Sequence, residues 1–468
     1  MRSIAAFVLG LLISAASLSA AAQAAPSGAT SQPSAAAAAT AAGAPAAPTD
    51  WLTQIRKPLP WLAFEGDFRA RQEYTLNLPG LNQDTPGHEK SYQRYRTRLG
   101  VTVTPVENVD FNARLAWEFF NFCEPKIGNI RDTDPNEVVL DKFNVVWKKT
   151  FGLDNTLTVG RQDITDLGNG WLIFDGTPID GSRTIFFDAV RDTFEIKDCK
   201  TVIDAIFVDN GASEEKHVEP FNPTAERYFV ENDETGAILY VRNKSIERTL
   251  IDGFYIFRNT EKVTPAGWNS DLHTFGGSVE HAFNEHWIAR GALAEQVGDH
   301  ESQNVWAQAF NGRLTYKFRD KLDTDAYTGY EFLSGNKHGE ENWNQFDPLW
   351  GRWPQFSEIV NSLDSTENVV GFTTNMHRIY WGMITRPKPF EFSVNYHLLF
   401  ADQNYDDRPG YSNDGCFRGQ LITAVARWEV CQHMAMQLVG ETFFPGDFYT
   451  DARNDPAVFA RYEIVFKW

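Results

Sequence analysis

The stretch Leu62-Ala-Phe-Glu-Gly-Asp-Phe-Arg-Ala-Arg-Gln-Glu-Tyr74 decides how the chain is read. Phe64, Gly66, Phe68, Ala70 and Tyr74 fall on one side, with Gln72 as the one polar exception. Glu65, Asp67, Arg69, Arg71 and Glu73 fall on the other. Side chains alternate along an extended strand, so this is a ribbon with one greasy and one charged face. The pattern repeats: Tyr95, Leu99, Val101 and Val103, with Thr97, oppose Arg94, Arg96, Arg98, Thr102 and Thr104. After the turn Pro105-Val-Glu-Asn108, Phe111, Ala113, Leu115, Trp117 and Phe119 oppose Asn112, Arg114 and Glu118. Strand, tight turn, strand is a hairpin.

Outward from there the same period recurs to the last residue. Val458, Ala460, Tyr462, Ile464, Phe466 and Trp468 share a face against Arg461, Glu463 and Lys467. A terminal strand of this kind resembles the signal read by barrel-insertion machinery. Between the ends lie Asn155–Gln162, Thr184–Ile196, Thr201–Val208, Gly236–Asn243, Gly253–Arg258, His273–Ala282, Trp287–Glu295, Val305–Phe318, Asp325–Phe332, His377–Thr385, Phe390–Phe400, Gln420–Glu429 and Ala435–Phe443. Turn residues separate most of these segments, and helical periodicity is scarce.

Two architectures use such ribbons, and they make opposite demands on the charged face. A sandwich buries the apolar face between sheets and leaves the arginines in bulk water. A membrane barrel turns the apolar face to lipid and the charges to a lumen, and closure alone satisfies every backbone group in a bilayer. The 35 Phe, 14 Trp and 15 Tyr fit interfacial girdles, with Trp61, Trp117, Phe119, Phe120, Trp147, Trp287 and Trp428 near strand ends. The expected fold is all-β: a closed transmembrane antiparallel barrel of about 18 strands. At that width an aqueous channel is expected unless loops plug it.

The N-terminus agrees with export. Arg2, an apolar run from Ile4 to Leu18 and Ala22-Gln23-Ala24 form the parts of a signal peptide over 1–24. Residues 25–57, mostly Ala, Pro, Ser and Thr, are expected to be a disordered linker, and 58–468 the barrel. A mean hydropathy of -0.38 is no objection, because alternating strands average to a polar value. The net charge of -19 argues against nucleic acid as a partner. The expected surroundings are outer-membrane lipid and the insertion machinery, and the chain is expected to be a monomer. Cys123, Cys199, Cys416 and Cys431 show no C-x-x-C spacing. They read as incidental thiols or as one or two stabilising bridges.

Chemistry is sparse. No nucleophile elbow, H-E-x-x-H or phosphate loop is present, and no cofactor or metal is expected. Asp132, Asp134, Asn136 and Glu137 lack the turn glycine of a calcium loop and read as solvated. Paired carboxylates such as Asp175 and Asp180 invite a glycosidase reading, but among 62 acidic residues chance pairs abound. The alternatives to a channel are a polysaccharide-acting hydrolase or lyase, or a plugged adhesive barrel. What stands out is arginine on the charged face: Arg69, Arg71, Arg94, Arg96, Arg98 and Arg114. A guanidinium stays charged and matches carboxylate oxygens with a planar fork. Such residues make either an anion-attracting track along a lumen or a ladder braced by Glu65, Asp67, Glu73 and Glu118.

Several multi-residue blocks resemble the alginate export family. They are Leu62-Ala-Phe-Glu-Gly-Asp-Phe-Arg-Ala-Arg71, Tyr95-Arg-Thr-Arg-Leu-Gly100, Val159-Gly-Arg-Gln-Asp163, Leu167-Gly-Asn-Gly-Trp171, Asp175-Gly-Thr-Pro-Ile-Asp-Gly-Ser-Arg183, Gly236-Ala-Ile-Leu-Tyr240, Phe346-Asp-Pro-Leu-Trp-Gly-Arg-Trp-Pro354 and Tyr396-His-Leu-Leu-Phe-Ala-Asp402. The resemblance implies an outer-membrane barrel of about 18 strands whose electropositive constriction passes a polyuronate outward. By position it adds Arg161, Arg183 and Arg352 to Arg69, Arg96 and Arg98 as lining candidates. The expected solute is an anionic, alginate-like polysaccharide or another anionic or polar solute. It would move passively, with gating from longer loops such as Gly211–Asp233 and Lys337–Asn368.

Overall fold

The structure, a computed structural model, describes residues 51–124, 136–168, 185–213, 215–223, 228, 230–337, 339–351, 355–367, 373–405 and 408–468. The expected signal peptide and most of the expected linker lie outside them. The last residues of that linker, Trp51–Arg56, form a short helix, α1.

Eighteen strands follow in a single meander. They are β1 (Leu62–Leu76), β2 (Glu89–Val106), β3 (Val109–Glu124), β4 (Val139–Lys148), β5 (Asn155–Gln162), β6 (Phe187–Ile196), β7 (Thr201–Asn210), β8 (Asn232–Asn243) and β9 (Thr249–Lys262), then β10 (Ser270–Ala282), β11 (Trp287–His300), β12 (Gln303–Lys317), β13 (Asp325–Leu333), β14 (Met376–Thr385), β15 (Phe390–Phe400), β16 (Phe417–Cys431), β17 (Met434–Pro445) and β18 (Ala457–Lys467). Each pairs antiparallel with the next, and β18 returns to β1 in a register from Asp67↔Lys467 to Leu76↔Val458. The sheet therefore has no edge. At the seam the Gly66 N–H donates to the Trp468 carbonyl at 3.1 Å and the Trp468 N–H to the Gly66 carbonyl at 3.0 Å. A Cβ on Gly66 would lie 2.5 Å from the Trp468 ring, so only glycine lets that indole close the seam.

The period-two faces fall as the alternation demands. Phe64, Leu99, Trp117, Phe143, Phe207, Leu239, Leu293, Trp306, Trp381, Tyr462 and Phe466 are exposed around the outside. Asp67, Arg69, Arg71, Glu73, Arg94, Arg96 and Glu118 are buried on the inner face. An apolar belt on an edgeless barrel is the condition for spanning a bilayer with strands. Gln72, the polar exception, donates outside to Ser91 Oγ at 3.0 Å and to the Tyr92 carbonyl at 3.3 Å. Phe120 departs from its expected girdle position: it shares the inner parity of Glu118, and Arg94 lies over its ring at 5.1 Å.

Connections divide sharply by side. On the side where β1 begins and β18 ends they are short, as at 107–108, 283–286 and 432–433, whereas the opposite side, apart from the turn 301–302, carries the long connections, among them 163–186, 211–231 and the longest, 334–375. Short turns mark the periplasmic side and long loops the exterior.

One strand escapes the alternation seen in sequence. β4 carries a register shift where Arg114 faces Lys142 and Leu115 faces Leu140. The extra residue, Asp141, flips the period midway. The four cysteines are free thiols, not bridges.

Leu293 stands midway along β11 on the outer face and is 60 % exposed. Leu293→Arg is expected to cost about 2–4 kcal/mol in unfolding from lipid vesicles. A change within error would remove the outer belt from hydrocarbon.

Candidate functional site

The lumen wall is charged where the sequence expected it, but the charges are partnered. Arg96 and Arg98 both hold Asp67, at 3.1 and 2.7 Å, and Arg94 reaches Glu73 at 3.3 Å. Arg71 hydrogen-bonds Glu463 across the seam. Arg114 binds Asp141 at 2.8 Å and Asp163 at 3.0 Å. The track is thus also a ladder. Its register is unusual in one respect: Arg69 stands directly opposite Arg96, and Arg71 opposite Arg94. Directly opposed like charges destabilise a sheet, so the flanking acids are needed to hold them.

Arg161 differs from its expected place in the bore. By strand alternation it shares the outer face of Val159 and, across the ladder, of Phe143, both exposed. Its guanidinium is buried near the loop-side end of β5 on Asp188 at 3.0 Å, on the Leu140 carbonyl at 2.9 Å and over the Phe186 ring at 3.7 Å. Position within a block of resemblance says nothing of strand parity, which here decides the direction. Arg183 and Arg352 lie outside the described residues, as do Asp132, Asp134, Asp175 and Asp180.

The arginines that matter most to the bore's shape were not singled out in sequence. Within the connection 334–375, described residues of the stretches 339–351 and 355–367 lie against the inner wall and are gripped from opposed sides. On β9, the fully buried Arg258 binds Asp347. On β11, Gln296 clamps the Asp347 backbone, accepting its N–H at 2.9 Å and donating to its carbonyl at 2.7 Å. On β18, Arg461 binds Glu358 at 2.7 Å. Strands β9 and β18 stand nine apart in an eighteen-stranded ring, which makes them diametrically opposite. The loop therefore crosses the lumen. Between these anchors Phe356 lies over the Arg378 guanidinium at 3.9 Å and beside the His397 ring at 5.4 Å.

Helix α2 (Glu358–Glu367) is the seat of the crossing. Ser357 caps it, accepting the Val360 N–H at 3.1 Å. Glu441 of β17 then accepts the Ser357 hydroxyl at 2.5 Å and the N–H groups of Glu358 and Ile359 at 3.0 and 3.1 Å. A wall carboxylate thus meets the positive end of the helix. Ile359, Val360 and Leu363 bury their side chains within an apolar cluster shared with Leu78, Leu81, Ile164, Phe346, Leu349, Phe443 and Phe448. At the far end Arg418 binds Glu367 and lies 3.5 Å from Asp364, while Tyr449 donates to Glu367 at 2.7 Å.

Burial pushes the Asp364 carboxyl up to about 7, against the Arg418 charge and with Glu367 adding repulsion. In a released loop the same group would ionise near its ordinary value of about 4. Between those values the seated helix holds a proton that the released one lacks, so raising the pH weakens the seat across that window and the loss levels off above 7. Hydrogen exchange across α2, corrected for intrinsic rates, is expected to show more protection at pH 5 than at pH 7.5. Asp364→Asn should lessen that difference. Equal differences in both proteins would count against this coupling.

The barrel has counterparts among solved structures. No protein-family model matches the chain, and no curated protein matches it. OpdK of Pseudomonas aeruginosa, solved with vanillate, is similar at 10 % identity and a TM-score of 0.53, over 86 % of this chain and 98 % of that one. OpdQ of the same organism is similar at 12 % identity and a TM-score of 0.53, over 86 % and 98 %. OccAB4 of Acinetobacter baumannii matches at 12 % identity and a TM-score of 0.52, over 88 % and 100 %. At such identities the likeness shows the fold, and it does not extend to alginate export. A closed eighteen-stranded barrel with an apolar belt is an integral protein of the Gram-negative outer membrane.

Proposed function

We propose that the chain is a passive outer-membrane channel that favours small carboxylate-bearing solutes. The observation that carries this reading is the pair of opposed arginines, Arg69 with Arg96 and Arg71 with Arg94, on the inner face of β1 and β2. The fold does not require them. Neutral residues there would avoid roughly 0.2–1 kcal/mol of cross-strand repulsion per pair. Five guanidiniums on these two strands stand with Glu65, Asp67 and Glu73 of β1, and with Glu118 and Glu463 of the neighbouring strands. Such a wall lowers the energy of an anion in the lumen.

The crossing loop favours a small solute over a polymer, since it is tied to both walls by buried ion pairs. Removing one partner of such a pair costs about 3–5 kcal/mol. An anionic polysaccharide, the solute implied by the resemblance to alginate exporters, needs the loop lifted from at least one wall. Vanillate, found with the similar barrel OpdK, is a carboxylate of the smaller kind. With no energy-coupling motif read in the sequence, the proposed flow follows the gradient.

The test is a reversal potential across planar bilayers under a potassium chloride gradient. The wild-type channel is expected to prefer anions, and Arg96→Gln with Arg98→Gln together should move the potential toward zero. Unchanged potentials would remove the β1–β2 wall as the source of selectivity. A barrel that conducts nothing would overturn the channel reading in favour of a plugged surface protein.

A further inference from the structure

The wall facing the β1–β2 arginines carries a second cationic feature of different construction. Strands β2 and β11 stand nine apart in the ring, as do β3 and β12, so β11–β12 lies across the bore from β2–β3. There Arg290 and Arg313 are directly opposed in register. Both share the inner parity of Ala292, Ala294, Ala307 and Ala309, which are buried.

Arg313 is held unlike any ladder arginine. Its guanidinium lies over the Tyr327 ring at 3.7 Å, and its Nε donates to Thr315 Oγ1 at 3.3 Å. Tyr327 is itself pinned, its hydroxyl donating to Asn395 Oδ1 at 2.6 Å. Beneath that ring is Gly382, where a Cβ would stand 2.3 Å from Tyr327 Cε2 and 2.3 Å from Asn395 Oδ1. Gly382 makes room for the tyrosine ring, and the guanidinium lies over that ring. No carboxylate among the described residues pairs with Arg313. The two inner-face acids of β13 are held elsewhere, Glu331 by Arg378 at 2.7 Å and Asp325 by Arg386 at 3.0 Å. Stacking fixes the plane of the cation, and the Thr315 bond takes only one of its five N–H donors. The terminal N–H groups are left as a planar fork, which matches the two oxygens of a carboxylate.

We infer that Arg313, laid flat on Tyr327, is the docking fork at which a carboxylate solute pauses in the bore. The inference rests on the channel reading and deepens it. The β1–β2 arginines, whose charges are engaged by wall acids, set the field that draws anions inward. Arg313 supplies the direct, displaceable contact. The occupant is a monocarboxylate small enough to pass the crossing loop. Charge alone does not define the site: lysine at this position keeps the cation but loses both the plane and the fork.

The probe is benzoate, added to single channels carrying chloride current, with the half-blocking concentration as the readout. Arg313→Gln is expected to raise that concentration about tenfold, equivalent to about 1.4 kcal/mol of lost binding. Arg313→Lys should recover less than half of the loss on a logarithmic scale. Gly382→Ala, which dislodges Tyr327 without touching the charge, should weaken block in the same direction. Heat-modifiable migration on gels checks that each variant closes its barrel. If Arg313→Gln folds and is blocked within twofold of wild type, the fork is wrong while the channel reading stands. Full recovery in Arg313→Lys would reduce the site to a point charge and overturn the stacked-fork account. A wild-type channel with no anion preference and no benzoate block would instead sink the channel reading itself.

Discussion

A strand in hydrocarbon has no water to satisfy its unpaired side, and that single constraint organises the molecule. Every ribbon must have two neighbours, so the last must find the first. The β1–β18 ladder from Asp67↔Lys467 to Leu76↔Val458 settles that debt, and at its end Gly66 and Trp468 add two backbone hydrogen bonds beneath an indole resting on a residue with no side chain. Once the ring is closed, period-two alternation has only two places to send its faces. Apolar residues meet lipid and charged residues meet the lumen.

Filling the lumen with charge creates a second problem, and the chain solves it in two ways. On β1–β3 the arginines and acids interlock on the wall itself, as Arg96, Arg98 and Asp67 do. Arg191 and Arg242 with Asp204, and Arg378 with Glu331, do the same on other strands, while three wall cations reach for acids on an inward loop: Arg258 for Asp347, Arg461 for Glu358, Arg418 for Glu367. The same residue type therefore serves as brace in one sector and as anchor in another. Arg313 belongs to neither group. An aromatic face holds it where the others use a carboxylate.

Much of this was legible in the sequence, and the misses have physical causes. The first three ribbons and the last were assigned to the correct faces, Phe120 apart, because their alternation is regular over most of each strand. β4 was lost because the bulge at Asp141 reverses the period within one strand. Arg161 was placed in the bore because its motif was read without its parity. The loop anchors could not be found by pattern, since Arg258 and Asp347 are 89 residues apart. A hint was present: Arg258 shares a face with Ile256 and Thr260, all buried. A lone cation among such neighbours needs a partner from inside. The crossing itself is a fact of the closed ring and has no signature along the chain.

Eighteen strands joined edge to edge form a thin hoop, and hoops deform most easily by flattening into an oval. Asp347 and Glu358 of one connection are fastened at the two ends of one diameter of that hoop, so their ion pairs tie opposite walls to one stretch of chain. Along that diameter the separation of the walls is bounded by the chain length between the two anchors. The aperture on either side of that stretch and the roundness of the wall thus become one mechanical variable.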